Sequence, residues 1–216
     1  CYLDAYTSSL IAQKEYLRAL GLYWQEIRRQ PDNEELYEKL LSFLVGHDLY
    51  AEELKVYQEA LSHFRGPKWI NRIARWYLVR RGNARFEDLT RRIRDTLDCP
   101  ELEAYLREMP SWTGWNPSGF ILEMSRYAHD RFPLNAYFST TLTDLYLSLW
   151  EWGRHPSYEQ PLVQVLKESY FIDDRIRTTF LRYCSFREIL RPQIEECSRR
   201  QTLACRIFCA DGLEWL

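Results

Sequence analysis

The sequence predicts an all-α protein in which antiparallel helical hairpins stack against one another. The first observation is a pair of apolar stripes at helical spacing, separated by a short break at Gly46. Two amphipathic helices joined by so short a link must lie antiparallel and share a core. The first stripe consists of Tyr37, Leu40, Leu41 and Leu44, and the second of Tyr50, Leu54, Tyr57 and Leu61.

The second observation is that this hairpin pattern recurs at a spacing of 34 residues. Residues 1–33 and 34–66 therefore form the first two repeats, with Pro31 near the end of the first and Gly66 at the end of the second. The matching positions of the first repeat are Leu3, Tyr6 and Leu10 in one helix and Tyr16, Leu20, Tyr23 and Ile27 in the next.

A third repeat begins at Pro67, a residue suited to the first turn of a helix, and ends before Pro100. Its first helix carries Ile70, Ile73, Ala74 and Tyr77, and its second carries Phe86, Leu89, Ile93 and Leu97. Residues 1–99 thus predict three regular repeats. Residues 100–216 predict divergent hairpins that continue the same array.

The second half of the chain keeps the hairpin layout with looser spacing. Leu102 to Met109 predicts a short helix, followed by a loop over 110–117 that is rich in helix breakers. Further helices are expected at 120–132, 134–152, 161–170, 172–184 and 186–200, with a closing helix at 201–215. In total this makes about five to six repeats, with the last helix covering the open end of the array.

Composition narrows the classes of function. The formal net charge of −2 gives no general attraction to nucleic acid or anionic membrane. No apolar run approaches the roughly 18–20 residues that span a bilayer. The six cysteines are too few for a disulfide scaffold, so reduced thiols in a cytoplasmic protein are expected. Because the chain starts inside a helical pattern without Met, we interpret it as a segment lacking its native N-terminus.

The 34-residue period, the spacing of the tyrosines, Ala60 ten residues after Tyr50, and a proline near the end of the unit resemble the tetratricopeptide repeat (TPR) family. The match is good over residues 1–98, and over residues 100–200 it rests only on the phase of the repeat and the hairpin layout. Leu41 and Glu53 depart from it, since the family usually has a small residue at the first position and Ala at the second. The resemblance implies a right-handed superhelix whose groove, lined by the first helix of each pair, holds a peptide or protein.

Two surfaces are candidates for partner binding. The first is the helix starting at Pro67, where Lys68, Asn71, Arg72 and Arg75 lie outside the apolar stripe. In the TPR family, Lys-x-x-x-Arg on this helix resembles half of a clamp for a carboxylate, and charged donors on a rigid helix suit that ligand. The alternative interpretation is that Lys68 and Arg72 pair with Glu34, Glu35 or Glu38 on the preceding helix.

The second candidate surface is the tryptophan pair Trp112 and Trp115, which either contacts a partner or covers the irregular junction near residue 100. Four cysteines, Cys184, Cys197, Cys205 and Cys209, are expected to be small core residues. Zinc or redox chemistry is the alternative, disfavoured by the absence of Cys-x-x-Cys pairs. No phosphate loop or catalytic motif occurs.

The sequence therefore predicts a non-catalytic scaffold that binds a protein or peptide, with no cofactor and no metal. Two alternatives stay open. The chain could be an RNA-associated helical repeat of the half-a-TPR or pentatricopeptide type, which the net charge disfavours. It could also be a regulatory domain of a larger enzyme.

Overall fold

The computed structural model describes residues 2–64, 66–113, 119–152, 155–200 and 202–215, and this part of the chain contains thirteen α-helices and no strand. The predicted all-α class is confirmed. The chain forms two compact units, Cys1–Thr113 and Gly114–Leu216. Division of the sequence at residue 99 into regular and divergent repeats stays a prediction.

The first unit contains seven helices, each packed against the next along the chain as far as α6, with α7 against α5. Their bounds are α1 Tyr2–Ala12, α2 Tyr16–Arg29, α3 Glu34–Val45, α4 Tyr50–His63, α5 Pro67–Val79, α6 Asn83–Ile93 and α7 Cys99–Thr113.

The core of this unit is built on α3, whose predicted stripe is buried in full. The Tyr37 ring makes edge contacts with Phe64 and Trp69, and its hydroxyl donates to the Pro31 carbonyl at 3.0 Å. The stripe of α5 is likewise buried, from Ile70 to Tyr77. Each such large apolar side chain contributes about 1.5–3 kcal/mol on burial.

In α4, the second helix of the second hairpin, the buried face lies one position before the predicted stripe, whereas α2 and α6 bury residues of their predicted stripes. The buried residues of α4 are Glu53, Val56 and Ala60, whereas Tyr50 is 47% exposed. Tyr6 on α1 was also predicted to be buried and is 42% exposed. A helix with neighbours on two sides buries the positions between them, and small residues such as Ala60 allow the closest approach.

The hairpin turns repeat a backbone motif. The residues Lys14, Asp48, Arg81 and Glu188 have positive φ, between 56° and 61°, in the turns α1–α2, α3–α4, α5–α6 and α11–α12. In every case the next residue donates its N–H to a carbonyl five positions earlier, at 2.7–3.0 Å. This is the Schellman arrangement, which satisfies the last carbonyls of the first helix and reverses the chain.

Among its described residues the second unit contains six α-helices, α8 Gly119–Arg131, α9 Ala136–Leu147, α10 Glu159–Glu168, α11 Asp174–Phe186, α12 Leu190–Arg200 and α13 Leu203–Glu214. Helices α12 and α13 pack closely at Gly212. A Cβ atom at this position would lie only 2.8 Å from Ile194 Cδ1, so the contact leaves no room for a larger residue. In the core, the Ser139 hydroxyl lies 3.2 Å from Nδ1 of the buried His129.

Two predicted boundaries are wrong. Helix α7 continues through Pro110 to Thr113, where a loop was expected from residue 110. Pro110 removes a single backbone hydrogen bond, which does not end the helix in its last turn. The helix predicted at 134–152 is regular only over Ala136–Leu147 and then continues as a π-helical turn, Ser148–Trp152. The rest of the loop, 114–118, lies outside the described residues.

Candidate functional site

The first helices of the three hairpins are joined by side-chain contacts between residues 34 or 35 positions apart. Lys39 Nζ on α3 lies 3.0 Å from Asp4 Oδ1 on α1. Arg72 Nη1 on α5 donates to Glu38 Oε2 on α3 at 2.5 Å. Side-chain contacts therefore link α1 to α3 and α3 to α5 within the first unit. The side of these three helices that carries the contacts is the first-helix surface.

Two of the predicted basic residues of α5, Lys68 and Arg72, are already engaged by carboxylates of α3. Lys68 Nζ lies 3.0 Å from Glu34 Oε1 and 2.7 Å from Glu38 Oε1. The guanidinium group of Arg72 also stacks 5.1 Å from the centre of the Trp69 ring. The structure thus shows the ion pairing that the sequence offered as the alternative to a clamp. An anionic ligand would have to compete with Glu34 and Glu38 for both cations.

The ionisation of these carboxylates follows from their contacts. Burial opposes the charge on Glu38, but hydrogen bonds from Arg72 and Lys68 outweigh it and lower the pKa of Glu38 below 4.5. Hydrogen bonds from Lys68 and Trp69 lower the pKa of Glu34. At neutral pH the cluster consists of charged, mutually paired groups.

The other predicted binding residues have different environments. Arg75 is exposed and forms no ion pair with the described residues. Asn71 has a buried Oδ1 atom with no hydrogen-bond partner in the described part of the chain. Trp112 lies in the last turn of α7, and the structure does not describe its side chain; Trp115 lies outside the described residues altogether. The structure brings Lys68 and Arg72 together through Glu38 and does not test the tryptophan pair.

A second cluster on the same hairpins was not predicted. Glu53 is only 2% exposed, and its Oε2 accepts hydrogen bonds from Trp76 Nε1 at 2.8 Å and Arg80 Nη2 at 3.2 Å. The Arg80 guanidinium lies 4.3 Å from the Tyr50 ring centre and 4.5 Å from the Trp76 ring centre. The sequence contained one indication of this cluster: Glu53 occupies a position where the TPR family usually has alanine.

This second cluster borders an open depression of about 510 Å³ lined by Tyr50, Trp76, Val79 and Arg80, among others. A pair of aromatic rings like this can bind a cation of a ligand. Here Arg80 already occupies the space beside the Tyr50 and Trp76 rings, so the cation comes from the chain itself. The arrangement stabilises the α4–α5 contact and leaves Val79 70% exposed at its edge.

No group of three or more His, Cys, Asp or Glu side chains in the described residues is arranged to hold a metal ion. Nor does any helix within those ranges combine the length and apolarity needed to cross a bilayer. The sequence matches no protein-family model and no curated protein.

Proposed function

We propose that the chain is a TPR-like helical repeat protein that binds an acidic peptide segment of a partner protein and has no catalytic role. One observation carries this proposal. Side-chain contacts between positions 34 or 35 residues apart link α1 to α3 and α3 to α5, which supports a stack of similar hairpins.

The chemistry of the ligand follows from charge on that surface. Lys68 and Arg72 are paired with the carboxylates of Glu34 and Glu38, whereas Arg75 on the same helix is a cation without an ion-pair partner among the described residues. A carboxylate on an extended segment would pair with Arg75 and be held near Lys68 and Arg72. Because the scaffold is rigid, the peptide would bear most of the ordering cost of binding.

The proposal is tested by selecting peptides from a displayed random library with the immobilised chain, then titrating the selected sequences by calorimetry. We expect enrichment of peptides with Asp or Glu, and Arg75→Glu should weaken their binding about tenfold, equivalent to about 1.4 kcal/mol. Arg85→Glu is the matched control, because Arg85 on α6 is also exposed and has no ion pair with the described residues. It should leave the affinity unchanged.

Two results would contradict the proposal. Equal losses in the Arg75 and Arg85 variants would show that general charge, not the first-helix surface, governs binding. Failure to select any peptide, together with salt-sensitive retention of single-stranded RNA, would favour the RNA-associated class instead.

A further inference from the structure

The second unit contains a pocket of about 450 Å³ between α10, α11, α12 and α13. Its wall is aromatic, with Tyr170, Phe180 and Phe208 in contact with one another. Two of its lining residues are Cys197, near the end of α12, and Cys205, in the first turn of α13. Both thiols therefore border the same cavity, although they belong to different helices.

Cys205 occupies a position that favours a thiolate. Thr202 caps α13, and its hydroxyl accepts the N–H of Cys205 at 3.2 Å. Contact with Thr202, then with the Cys197 thiol, lowers the pKa of Cys205, and the charge of Arg200 adds to this effect. The positive end of the helix dipole acts in the same direction.

Cys197 has the opposite environment. Burial raises the pKa of its thiol to about 11, and the neighbouring Cys205 adds to the shift. At neutral pH, Cys205 is therefore the nucleophile of the pair and Cys197 remains a protonated thiol beside it.

We propose that Cys197 and Cys205 form a redox-active dithiol that reacts with small anionic disulfides entering this pocket. In the first step the Cys205 thiolate attacks one sulfur of the disulfide, forms a mixed disulfide and releases one thiolate. Cys197 then loses its proton and attacks the Cys205 sulfur, which expels the second thiolate. The two cysteines are oxidised to a Cys197–Cys205 disulfide, and the small disulfide is reduced to two thiols.

The charge at the pocket selects the anionic class. Lys167 and Arg200 both line it, and Lys167 forms no ion pair with the described residues. Arg200 is bound to Glu196, which also lines the pocket, so Lys167 supplies the uncompensated charge. A disulfide that carries carboxylates should therefore react faster than a cationic one. The aromatic wall would contact its apolar portion.

The test exposes the reduced chain to glutathione disulfide and follows the products by intact mass and peptide mapping. We expect a transient glutathione adduct on Cys205, followed by an internal Cys197–Cys205 disulfide. In Cys197→Ser the adduct on Cys205 should accumulate, because the second thiol of the proposed pair is gone. In Cys205→Ser the reaction at this site should fall about tenfold or more.

Two controls keep the assignment specific. Cys209→Ser should leave the reaction unchanged, because Cys209 is not among the residues that line the pocket and its thiol lies 3.5 Å from the Ile194 carbonyl. Cystamine, a cationic disulfide, should react with Cys205 about threefold or more slowly than glutathione disulfide does, and Lys167→Gln should reduce that difference. Oxidation that maps to other cysteines, or an unstable adduct in Cys197→Ser, would overturn the proposal.

Discussion

The Nε1 atom of Trp76 on α5 donates a 2.8 Å hydrogen bond to Oε2 of Glu53 on α4. The same oxygen accepts a hydrogen bond from Arg80, while Oε1 of Glu53 is buried without a partner in the described part of the chain. A buried carboxylate is costly unless it is paired, so the contact between these helices depends on both donors. Removing the negative charge would leave Arg80 without its counterion.

Glu53→Gln should therefore destabilise the chain by about 2–3 kcal/mol, since removing one partner of a buried charged contact leaves the other uncompensated. Urea unfolding followed by circular dichroism measures this change. Glu52→Gln is the control, because Glu52 pairs locally with Lys55 on the helix surface, and it should cost less than about 0.5 kcal/mol. Equal losses in the two variants would show that the buried contact contributes nothing.

The left-handed turn residues predict a stabilising substitution. Lys14 is exposed with φ of 61°, a conformation that glycine adopts without the steric cost of a side chain. Lys14→Gly should raise the free energy of unfolding by about 0.5–1 kcal/mol. Ala5→Gly, within α1, should lower it by about 1 kcal/mol. A loss in both variants would mean that the turn does not hold a positive φ in solution.

The ion pairs between α3 and α5 predict sensitivity to acid. Hydrogen bonds from Arg72 and Lys68 lower the pKa of Glu38 despite its burial. A carboxyl group whose pKa is lower in the folded state stabilises the fold above its unfolded pKa, and this contribution is lost as pH falls through the folded pKa. Stability should thus decline as the pH falls below the unfolded pKa of a glutamate carboxyl, with a contribution from Glu38 of about 1 kcal/mol or less because the pair is partly exposed.

Thermal melts at a series of pH values measure the effect. Glu38→Gln should be less stable at pH 7 and should lose less stability on acidification than the unmodified chain. Glu195→Gln changes an exposed carboxylate on α12 without an ion pair to the described residues, so its acid profile should follow that of the unmodified chain. Identical slopes for all three proteins would contradict the assigned role of Glu38.

The sequence predicted the helices better than it predicted their contacts. The 3.6-residue periodicity located α3 and α5, because these helices bury one apolar face each. It misassigned the buried face of α4, since contact with two neighbours buries Glu53 in place of Tyr50. A buried glutamate violates the apolar pattern, and only the position of Trp76 and Arg80 on the next helix explains it.

For the candidate sites, too, the sequence predicted one set of contacts and missed another. Pairing of Lys68 and Arg72 with glutamates on α3 was foreseeable from the repeat length, because it brings residues 34 apart into register. The proximity of Cys197 and Cys205 was not foreseeable from the sequence. The two cysteines are eight positions apart, the chain reverses direction between them, and they lack the Cys-x-x-Cys spacing. Their environment depends on the capping of α13 and on aromatic residues from the α10–α11 turn, α11 and α13.

Amide hydrogen exchange on the chain, with and without a selected acidic peptide, tests the proposed binding surface most directly. We expect the peptide to slow exchange in α3 and α5, the first helices that carry Glu38 and Arg75, and to leave α4 and α6 unchanged. Protection confined to α4, α6 or the second unit would contradict the proposal that the first-helix surface binds the partner.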